Sequence, residues 1–285
     1  MTSSTISPPA APTLTAVLDD LRAQLDGVRR LGVAFSGGVD SSLLLALAAR
    51  VLGVDEVVAL LGVSPSLATA ERTAAHEVAA GLGVRVREVT TYEGERPAYQ
   101  ANGPDRCFHC KDELFTRIDE EVVAAEHLDA VGYGENADDA LRPDRPGSRA
   151  ATTHAVLRPL AALGLTKADV RRLARELGLS VADKPAAPCL ASRIPHHEPV
   201  TPEKLAQIDR AEAAVRALGL ADLRVRHHGD VARLELATED LPRAVAEPLR
   251  GQLLTAVRSA GFRFVTLDLG GIQSGAFTLP LVTGR

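Results

Sequence analysis

Three cysteines give the first chemical signal in this chain of 285 residues. Cys107 and Cys110 lie in the segment RCFHCKDELF, and Cys189 lies far away in KPAAPCLASRIP. A Cys-x-x-Cys pair places two sulfur atoms at a reach suited to one metal. The pair is flanked by Arg106 and Lys111, whose positive charges are expected to favour thiolates. All three sulfur atoms meet only if the proline-rich segment around Cys189 folds back over the pair.

Four interpretations of these cysteines are open at this point. Cys189 alone is compatible with a buried structural role. Cys107 and Cys110 could form a redox dithiol, but such a pair usually begins a helix in a thioredoxin-like unit, which the sequence does not indicate. Three thiolates and His109 could bind zinc. Three cysteines could also hold a 4Fe-4S cluster and leave one iron open to carry an additional sulfide.

The strongest local motif is SGGVDSS, residues 36–42, which follows the apolar run LGVAF. Gly37 and Gly38 let the backbone turn tightly and bring bare amides close to an anion. The N-terminus of the following helix adds the positive end of its dipole. The motif lacks the Gly-Lys-Ser/Thr of a Walker A loop. We therefore expect a phosphate loop of another class at this position.

Polar side chains complete the predicted phosphate site. Ser36, Ser41 and Ser42 add hydroxyl donors, and an acidic Asp40 beside phosphate fits a bridging magnesium ion. The segment GENADD follows another apolar run and should open on the same edge of the sheet. Its Asp138 is a candidate for binding substrate or magnesium, with a solvated helix cap as the alternative.

The elements around these motifs alternate from Leu31 onwards. Strands are predicted at LGVAF, EVVALLGV, VRVREV and LDAVGYG, and helices at DSSLLLALAARVLG, TAERTAAHEVAAGLG, KDELFTRIDEEVVAAEH and TKADVRRLARELGL. This alternation predicts an α/β fold with a doubly wound parallel sheet. Residues 136–149 are predicted to be a loop, and residues 182–202 a long irregular segment of functional character.

The pattern changes near Thr201. A helix, the hairpin LRVRHHGDVARLELA, a second helix and the strand FRFVTLDLG predict a smaller α+β domain. We therefore divide the chain into a disordered tail over residues 1–14, a first domain over 15–200 and a second over 201–285.

Composition argues against several classes of protein. The chain is 46% hydrophobic, enough for a substantial core, and a net charge of −5 argues against unspecific nucleic-acid binding. The longest apolar run, Leu43 to Ala49, is too short to span a bilayer. The N-terminus has neither a basic residue nor an apolar block, so no signal peptide is expected. These features predict a cytoplasmic protein with reduced thiols.

The phosphate loop resembles that of the N-type ATP pyrophosphatases, which cleave ATP between the α- and β-phosphates and adenylate a substrate oxygen. The ordered motifs SGGVDSS, RCFHCK, GENADD, DKPAAPCLASRIP and LRVRHHGDVARLE resemble the LarE family from about Leu31 to the C-terminus. The resemblance implies an adenine nucleotide alpha hydrolase-like (PP-loop) domain with ATP, Mg²⁺ and, in one branch, a 4Fe-4S cluster as cofactors.

The resemblance also implies a reaction. The substrate is pyridinium-3,5-biscarboxylic acid mononucleotide, one carboxylate of which is adenylated with release of pyrophosphate. Sulfur then displaces AMP and leaves a thiocarboxylate. The product belongs to the biosynthesis of the nickel-pincer nucleotide cofactor of lactate racemase. Implied partners are a sulfide or persulfide donor, a downstream nickel-insertion protein and a second copy of the chain in a homo-oligomer.

Site residues are carried over from the resemblance position by position. The loop of residues 36–42 would hold the ATP phosphates, and Lys184 would contact phosphate or substrate near Cys189. Ser192 and Arg193 would line the sulfur-transfer site.

The second domain contributes charged residues to the same prediction. Arg224 and Arg226 alternate along a strand, so both face one side and can bind a nucleotide phosphate or carboxylate. The alternative is a solvated strand face. Glu212 and Glu235 are predicted to be orienting acids, and Glu235 with Asp40 is a predicted magnesium ligand.

Members of the family supply the sulfur atom in one of two ways. In one, a lone cysteine at the position of Cys189 gives up its own sulfur and becomes dehydroalanine. In the other, that cysteine joins a Cys-x-x-Cys pair and binds an iron-sulfur cluster, which is the way that Cys107 and Cys110 favour. Rival functions are tRNA 2-thiolation by a related enzyme and a non-catalytic iron-sulfur scaffold or ATP-sensing module.

Overall fold

A four-stranded parallel sheet forms the centre of the first domain in the computed structural model, which describes residues 11–141 and 147–273. The strands are β1 (Leu31–Phe35), β2 (Val57–Val63), β3 (Arg85–Thr90) and β4 (Ala130–Tyr133). Their order is β3-β2-β1-β4, and every neighbouring pair is parallel. The chain reverses its direction of winding between β1 and β4, which is where doubly wound sheets bind ligands.

Helices cover both faces of this sheet. They are α1 (Leu14–Gln24), α2 (Val39–Leu52), α3 (Thr69–Gly81), α4 (Pro97–Gln100), α5 (Arg106–Arg117), α6 (Ala137–Ala140), α7 (Gly147–Thr153), α8 (Pro159–Ala162) and α9 (Lys167–Glu176). Val33 of β1 packs in the core with α2 and α9, whereas Ala34 packs with α5 and α7 on the opposite face. Both faces are buried because alternate side chains point to opposite sides, which explains the continuous apolar strands. The predicted fold class is confirmed.

Three boundaries differ from the sequence prediction. Helix α5 begins at Arg106 rather than at Lys111, so the cysteine pair lies on the helix. The predicted loop over residues 136–149 contains α6 and the start of α7, and its residues 142–146 lie outside the description. Helix α1 begins at Leu14, inside the predicted tail, because Thr13 caps it; residues 1–10 of that tail are also outside the description.

A second sheet of three strands follows in the C-terminal part of the chain, which we propose to be the second domain. Its elements are α10 (Pro202–Ala217), β5 (Leu223–His228), β6 (Val231–Leu236), α11 (Leu241–Ala244), α12 (Leu249–Ser259) and β7 (Phe264–Leu267). β5 and β6 form the predicted antiparallel hairpin, and β7 adds to β6 in parallel. The turn places Gly229 at φ +62°, where glycine is favoured.

Helix α10 joins the two domains. Its first half packs Leu205 and Ile208 against Tyr99 and Leu190, whereas its second half belongs to the core of the second domain. No helix among residues 11–141 and 147–273 is long and apolar enough to cross a membrane.

Candidate functional site

The phosphate loop lies between β1 and α2, as predicted. Gly37 has φ +68°, and a Cβ atom there would lie 2.9 Å from the Cα atom of Ala75, so both backbone conformation and space require glycine. The Ser41 hydroxyl accepts from the Ser36 amide at 3.3 Å and donates to the Gly38 carbonyl at 3.1 Å. Gly38 is the N-cap of α2 and has no side chain to bind the first-turn amides. These donors remain available to an anion.

The loop after β4 packs directly on this helix start. A Cβ atom at Gly134 would lie 2.8 Å from the Ser41 nitrogen, so the two loops approach as closely as backbone allows. The Asn136 amide donates to Asp40 Oδ1 at 2.8 Å, and the Lys167 ammonium forms an ion pair with Asp40 Oδ2. Asp138, which is exposed, accepts from the Lys167 backbone nitrogen at 2.8 Å. Asp40 and Asp138, both predicted from the sequence, therefore contact Lys167 at the edge of the sheet.

Two of the three cysteines lie on the first turns of α5. Cys107 is exposed, whereas Cys110 is half-buried. Burial raises the pKa of the Cys110 thiol well above its usual range, and the negative charges of Glu93, Cys189 and Cys107 raise it further. Lys111 acts in the opposite direction but is outweighed. Lys111 therefore favours the thiolate, as expected of a flanking cation, but desolvation dominates the pKa of Cys110.

The Cys189 segment folds back over this pair, as the sequence analysis required. The Leu190 amide donates to the Ser66 carbonyl just after β2, at 2.9 Å. Cys189 and Cys110 pack against the same hydrophobic cluster. The Arg106 guanidinium, which is 6% exposed, interacts electrostatically with the thiols of Cys189 and Cys107. Cys107 and Cys189 thus share one buried cation, and Cys110 shares a hydrophobic cluster with Cys189.

Asn102 fixes the segment that carries Cys189. Its side-chain amide donates to the carbonyl groups of Ile194, Pro195 and Glu198 at 3.3, 2.8 and 3.0 Å, and its oxygen accepts from Arg106 at 2.5 Å. Asn102 is completely buried and has φ +54°. One side chain therefore connects the helix of the cysteine pair to the loop of the third cysteine.

A single metal ion has no ready set of ligands in the described part of the chain. No three or more His, Cys, Asp or Glu side chains among residues 11–141 and 147–273 are grouped closely enough to hold one. His109, considered above as a zinc ligand, pairs with Asp105 at 3.2 Å.

Arg193 and Glu212 form a buried ion pair behind Cys189. Arg193 donates to Glu212 through Nε at 2.9 Å and through Nη2 at 3.2 Å, and the two residues are 4% and 0% exposed. The other end of the guanidinium donates to the carbonyl groups of Pro188 and Cys189 at 2.5 and 3.3 Å. Arg193 therefore shapes the backbone of the cysteine loop, and Glu212 holds Arg193 in place.

Arg224 and Arg226 line the adjoining face of β5. Arg226 donates to the Ser192 carbonyl at 2.8 Å and pairs with the fully buried Glu235 at 2.7 Å. Arg224 donates to the Gln273 carbonyl at 2.8 Å. Burial lowers the pKa of Arg224, and the positive charges of Arg226 and Arg193 lower it further. An anion beside Arg224 would relieve this repulsion. The solvated-face alternative is wrong, because both arginines are buried.

The comparisons with known proteins agree with this geometry. The asparagine synthase family profile matches residues 14–116, which include the phosphate loop. The chain is 34% identical to the pyridinium-3,5-bisthiocarboxylic acid mononucleotide synthase of Lactiplantibacillus plantarum, a LarE protein, over 92% of this chain and 94% of that protein.

The chain belongs to the LarE family.

Two uncharacterised proteins are also similar to this LarE-family chain. One, from Synechocystis sp., is 41% identical over 92% of the chain and 97% of its own length. The other, from Methanocaldococcus jannaschii, is 26% identical over 85% of the chain and 90% of its own length.

Two predicted residues have other partners in this LarE-family structure. Lys184 lies before Cys189, but its ammonium donates to Glu71 at 2.6 Å, so its contact with phosphate stays a prediction. Glu235 serves as the counter-ion of Arg226 in the second sheet, whereas Asp40 lies in the phosphate loop of the first domain. The described contacts do not join Glu235 and Asp40 into one magnesium site.

Sequence reasoning missed several residues of the LarE-family site. Lys167 has no local signal, because only the fold brings it to Asp40. Glu93 and Tyr99 belong to no recognised motif. Asn102 precedes Gly103, and the Asn-Gly pair indicates a positive-φ turn that could have marked it.

Proposed function

We propose that this chain is an ATP-dependent sulfur transferase that acts on pyridinium-3,5-biscarboxylic acid mononucleotide. It would adenylate one carboxylate, release pyrophosphate and replace the activated oxygen by sulfur, in the biosynthesis of the nickel-pincer nucleotide cofactor. The observation that carries the proposal is the contact between the Ser192 carbonyl and Arg226, 2.8 Å long. It joins the cysteine loop to a buried cationic site, so a sulfur donor and an anion site are neighbours.

The ATP phosphates are proposed to bind the loop of residues 36–42. The uncapped first turn of α2 offers backbone amides, and the completely buried Ser42 hydroxyl has no partner among the described residues. Lys167, now paired with Asp40, is close enough to the loop to exchange its carboxylate partner for a phosphate oxygen. A magnesium ion bound by Asp40 would neutralise phosphate charge in that exchange. Asp138 would then anchor the backbone of Lys167.

The anionic substrate is proposed to bind Arg224 and Arg226. Phosphate and carboxylate groups both match the planar fork of a guanidinium. Glu212 and Glu235 are positioning residues in this proposal, since both are completely buried and bind arginines. The substrate carboxylate then lies between the adenylating loop and Ser192, beside Cys189.

Cys107, Cys110 and Cys189 are proposed to hold a 4Fe-4S cluster. The donor set fits in type, because the thiols of Cys107 and Cys189 interact with the buried Arg106 guanidinium and Cys110 packs against the same hydrophobic cluster as Cys189. The guanidinium would balance part of the negative charge of a thiolate-bound cluster. With three protein ligands, such a cluster leaves one iron free to bind the sulfur atom that is transferred. Asn102 and Arg193 hold the two backbone segments that carry the ligands.

Anaerobic purification tests the source of sulfur. About four irons and four sulfides per chain are expected. Cys107→Ala should lose the iron and stop multiple turnovers. A colourless, active protein that loses the mass of one sulfur atom at Cys189 in each turnover would refute the cluster and favour sacrificial transfer.

Incubation with ATP and the biscarboxylate nucleotide tests the substrate. Pyrophosphate release should depend on this nucleotide, and Arg224→Met should raise its KM by at least about 10-fold, equivalent to about 1.4 kcal/mol. Release triggered only by tRNA would refute the substrate assignment and favour the rival thiolation reaction.

A further inference from the structure

A second polar cluster lies near Cys110 and Cys189, and we call it the Glu93–Tyr99 cluster. It consists of Ser64 and Ser66, which follow β2, Glu93, which follows β3, and Tyr99 of α4. β2 and β3 are neighbouring parallel strands, so these residues lie at the same carboxyl edge as the cysteine loop. Neither a sequence motif nor the proposed ATP and substrate sites use them.

Glu93 presents an unsatisfied carboxylate oxygen. The residue is 2% exposed. Its Oε1 atom accepts from both serine hydroxyls, at 2.9 Å from Ser66. Its Oε2 atom is buried and has no hydrogen-bond partner among the described residues. Glu93 also lies close enough to Cys110 to interact with it electrostatically. A buried carboxylate of this kind is costly and implies a local role.

Tyr99 presents an unsatisfied hydroxyl on the same side. The residue is 1% exposed, and its oxygen has no hydrogen-bond partner of good geometry among the described residues. The neighbouring Ser66 hydroxyl interacts with this oxygen and donates to Glu93 Oε1 at 2.9 Å. The Tyr99 hydroxyl lies within electrostatic range of both Cys189 and Cys110. Buried tyrosine hydroxyls normally find an acceptor, and both cysteines pack against the hydrophobic cluster to which Tyr99 belongs.

Resting on the cluster proposed above, we propose that the Tyr99 hydroxyl donates a hydrogen bond to sulfur at the Cys110–Cys189 centre, and that Glu93 places a fixed negative charge beside it. Both are positioning residues for sulfur transfer. Hydrogen bonds to sulfur raise the reduction potential of an iron-sulfur centre, and nearby negative charge lowers it. The two residues therefore act on one centre with opposite sign.

Two conservative variants test this directly. Glu93→Gln keeps an oxygen that can accept from Ser64 and Ser66 but removes the charge, and Tyr99→Phe removes only the hydroxyl. Each variant is reconstituted anaerobically as the full chain, and its midpoint potential is measured by redox titration with electron paramagnetic resonance. The potential should become more positive in Glu93→Gln and more negative in Tyr99→Phe, with the iron content of the wild type.

Matched control variants separate the effect of the altered group on the potential from a general loosening of the structure. Glu113→Gln makes the same change at an equally buried position, 2% exposed, where Arg96 and Arg117 balance the charge. Tyr92→Phe removes a hydroxyl from an exposed tyrosine. Both controls should leave the potential unchanged. A wild-type protein without iron overturns the proposed cluster and this inference together. If the wild type holds a cluster but neither test variant changes its potential, the inference alone is overturned. A shift of the potential in the same direction in both variants overturns it as well.

Discussion

Glu212→Gln should reveal how strongly the buried charges behind Cys189 depend on one another. Glu212 is completely buried and accepts four hydrogen bonds. Oε1 accepts from Arg193 Nε at 2.9 Å and the Val225 amide at 3.0 Å. Oε2 accepts from Arg193 Nη2 at 3.2 Å and Arg216 Nη2 at 2.9 Å. In the variant, an amide NH₂ group replaces one of the two carboxylate oxygens of Glu212. This NH₂ group then faces the N–H donors from which that oxygen accepted hydrogen bonds.

The expected loss in the free energy of unfolding is about 3–5 kcal/mol, which is typical when one partner of a buried ion pair is removed. A second estimate agrees. Two hydrogen bonds to a charged group disappear, and each contributes about 1.5–3 kcal/mol. Arg193 is then left as a buried cation without its counter-ion. Since domains are stable by only about 5–15 kcal/mol, the loss is a large fraction of the total.

The same carboxylate makes stability depend on pH. Burial alone would raise the pKa of Glu212, but the charge and hydrogen bonds of Arg193 outweigh it, and the pKa lies below the usual 4.5. A lowered folded-state pKa stabilises the protein above about pH 4.5, the unfolded value. This contribution is lost as the pH falls through the folded-state pKa. The difference between wild type and Glu212→Gln should therefore shrink in acid.

Urea unfolding followed by circular dichroism measures both effects. With a slope of about 2–3 kcal/mol per molar urea, the midpoint at pH 7 should fall by about 1–2.5 M. Glu203→Gln on the exposed first turn of the same helix is the control and should cost less than about 1 kcal/mol. A loss below about 1 kcal/mol in Glu212→Gln would refute the assignment of this residue as the essential counter-ion of Arg193.

Three further changes test other parts of the site. Gly37→Ala should abolish pyrophosphate release without unfolding the chain, since its Cβ atom would lie 2.9 Å from Ala75 Cα; normal release would show that the loop tolerates the atom. Asn102→Ala should lower the free energy of unfolding by about 2–4 kcal/mol, because buried carbonyl groups and Arg106 lose their partner; an unchanged denaturation midpoint would contradict this. Lys167→Met should raise the KM for ATP by about 10-fold in a pyrophosphate assay, and an unchanged KM would assign the lysine to structure alone.

The sheet and its phosphate loop follow from local sequence. Strands buried on both faces must be apolar throughout, and β1 and β2 show that pattern. Gly37 marks a positive-φ turn before an apolar helix, which is a local property of the backbone. The Thr166 cap of α9 is equally local. These elements could be predicted because residues within a few positions of one another decide them.

The cysteine site was only half predictable. The sequence supplied three thiols and a proline-rich segment that could fold back. It did not indicate that Arg106 is buried beside Cys107 and Cys189, because an arginine beside cysteines is normally expected to be solvated. The contact of Arg106 with Asn102 and with the Ala191 carbonyl, 85 residues away, depends on how α5 and the Cys189 loop pack.

The sequence by itself determined the class of fold, the phosphate loop and the set of groups available for chemistry, since periodicity and motif spacing are written in neighbouring residues. The tertiary structure alone decided which charges neutralise one another. Arg193 pairs with Glu212 on α10, Arg226 with Glu235 across the hairpin, and Lys167 with Asp40 from another helix. Buried charges take whatever partner the packing of distant elements brings within hydrogen-bond distance, and no local pattern encodes that choice.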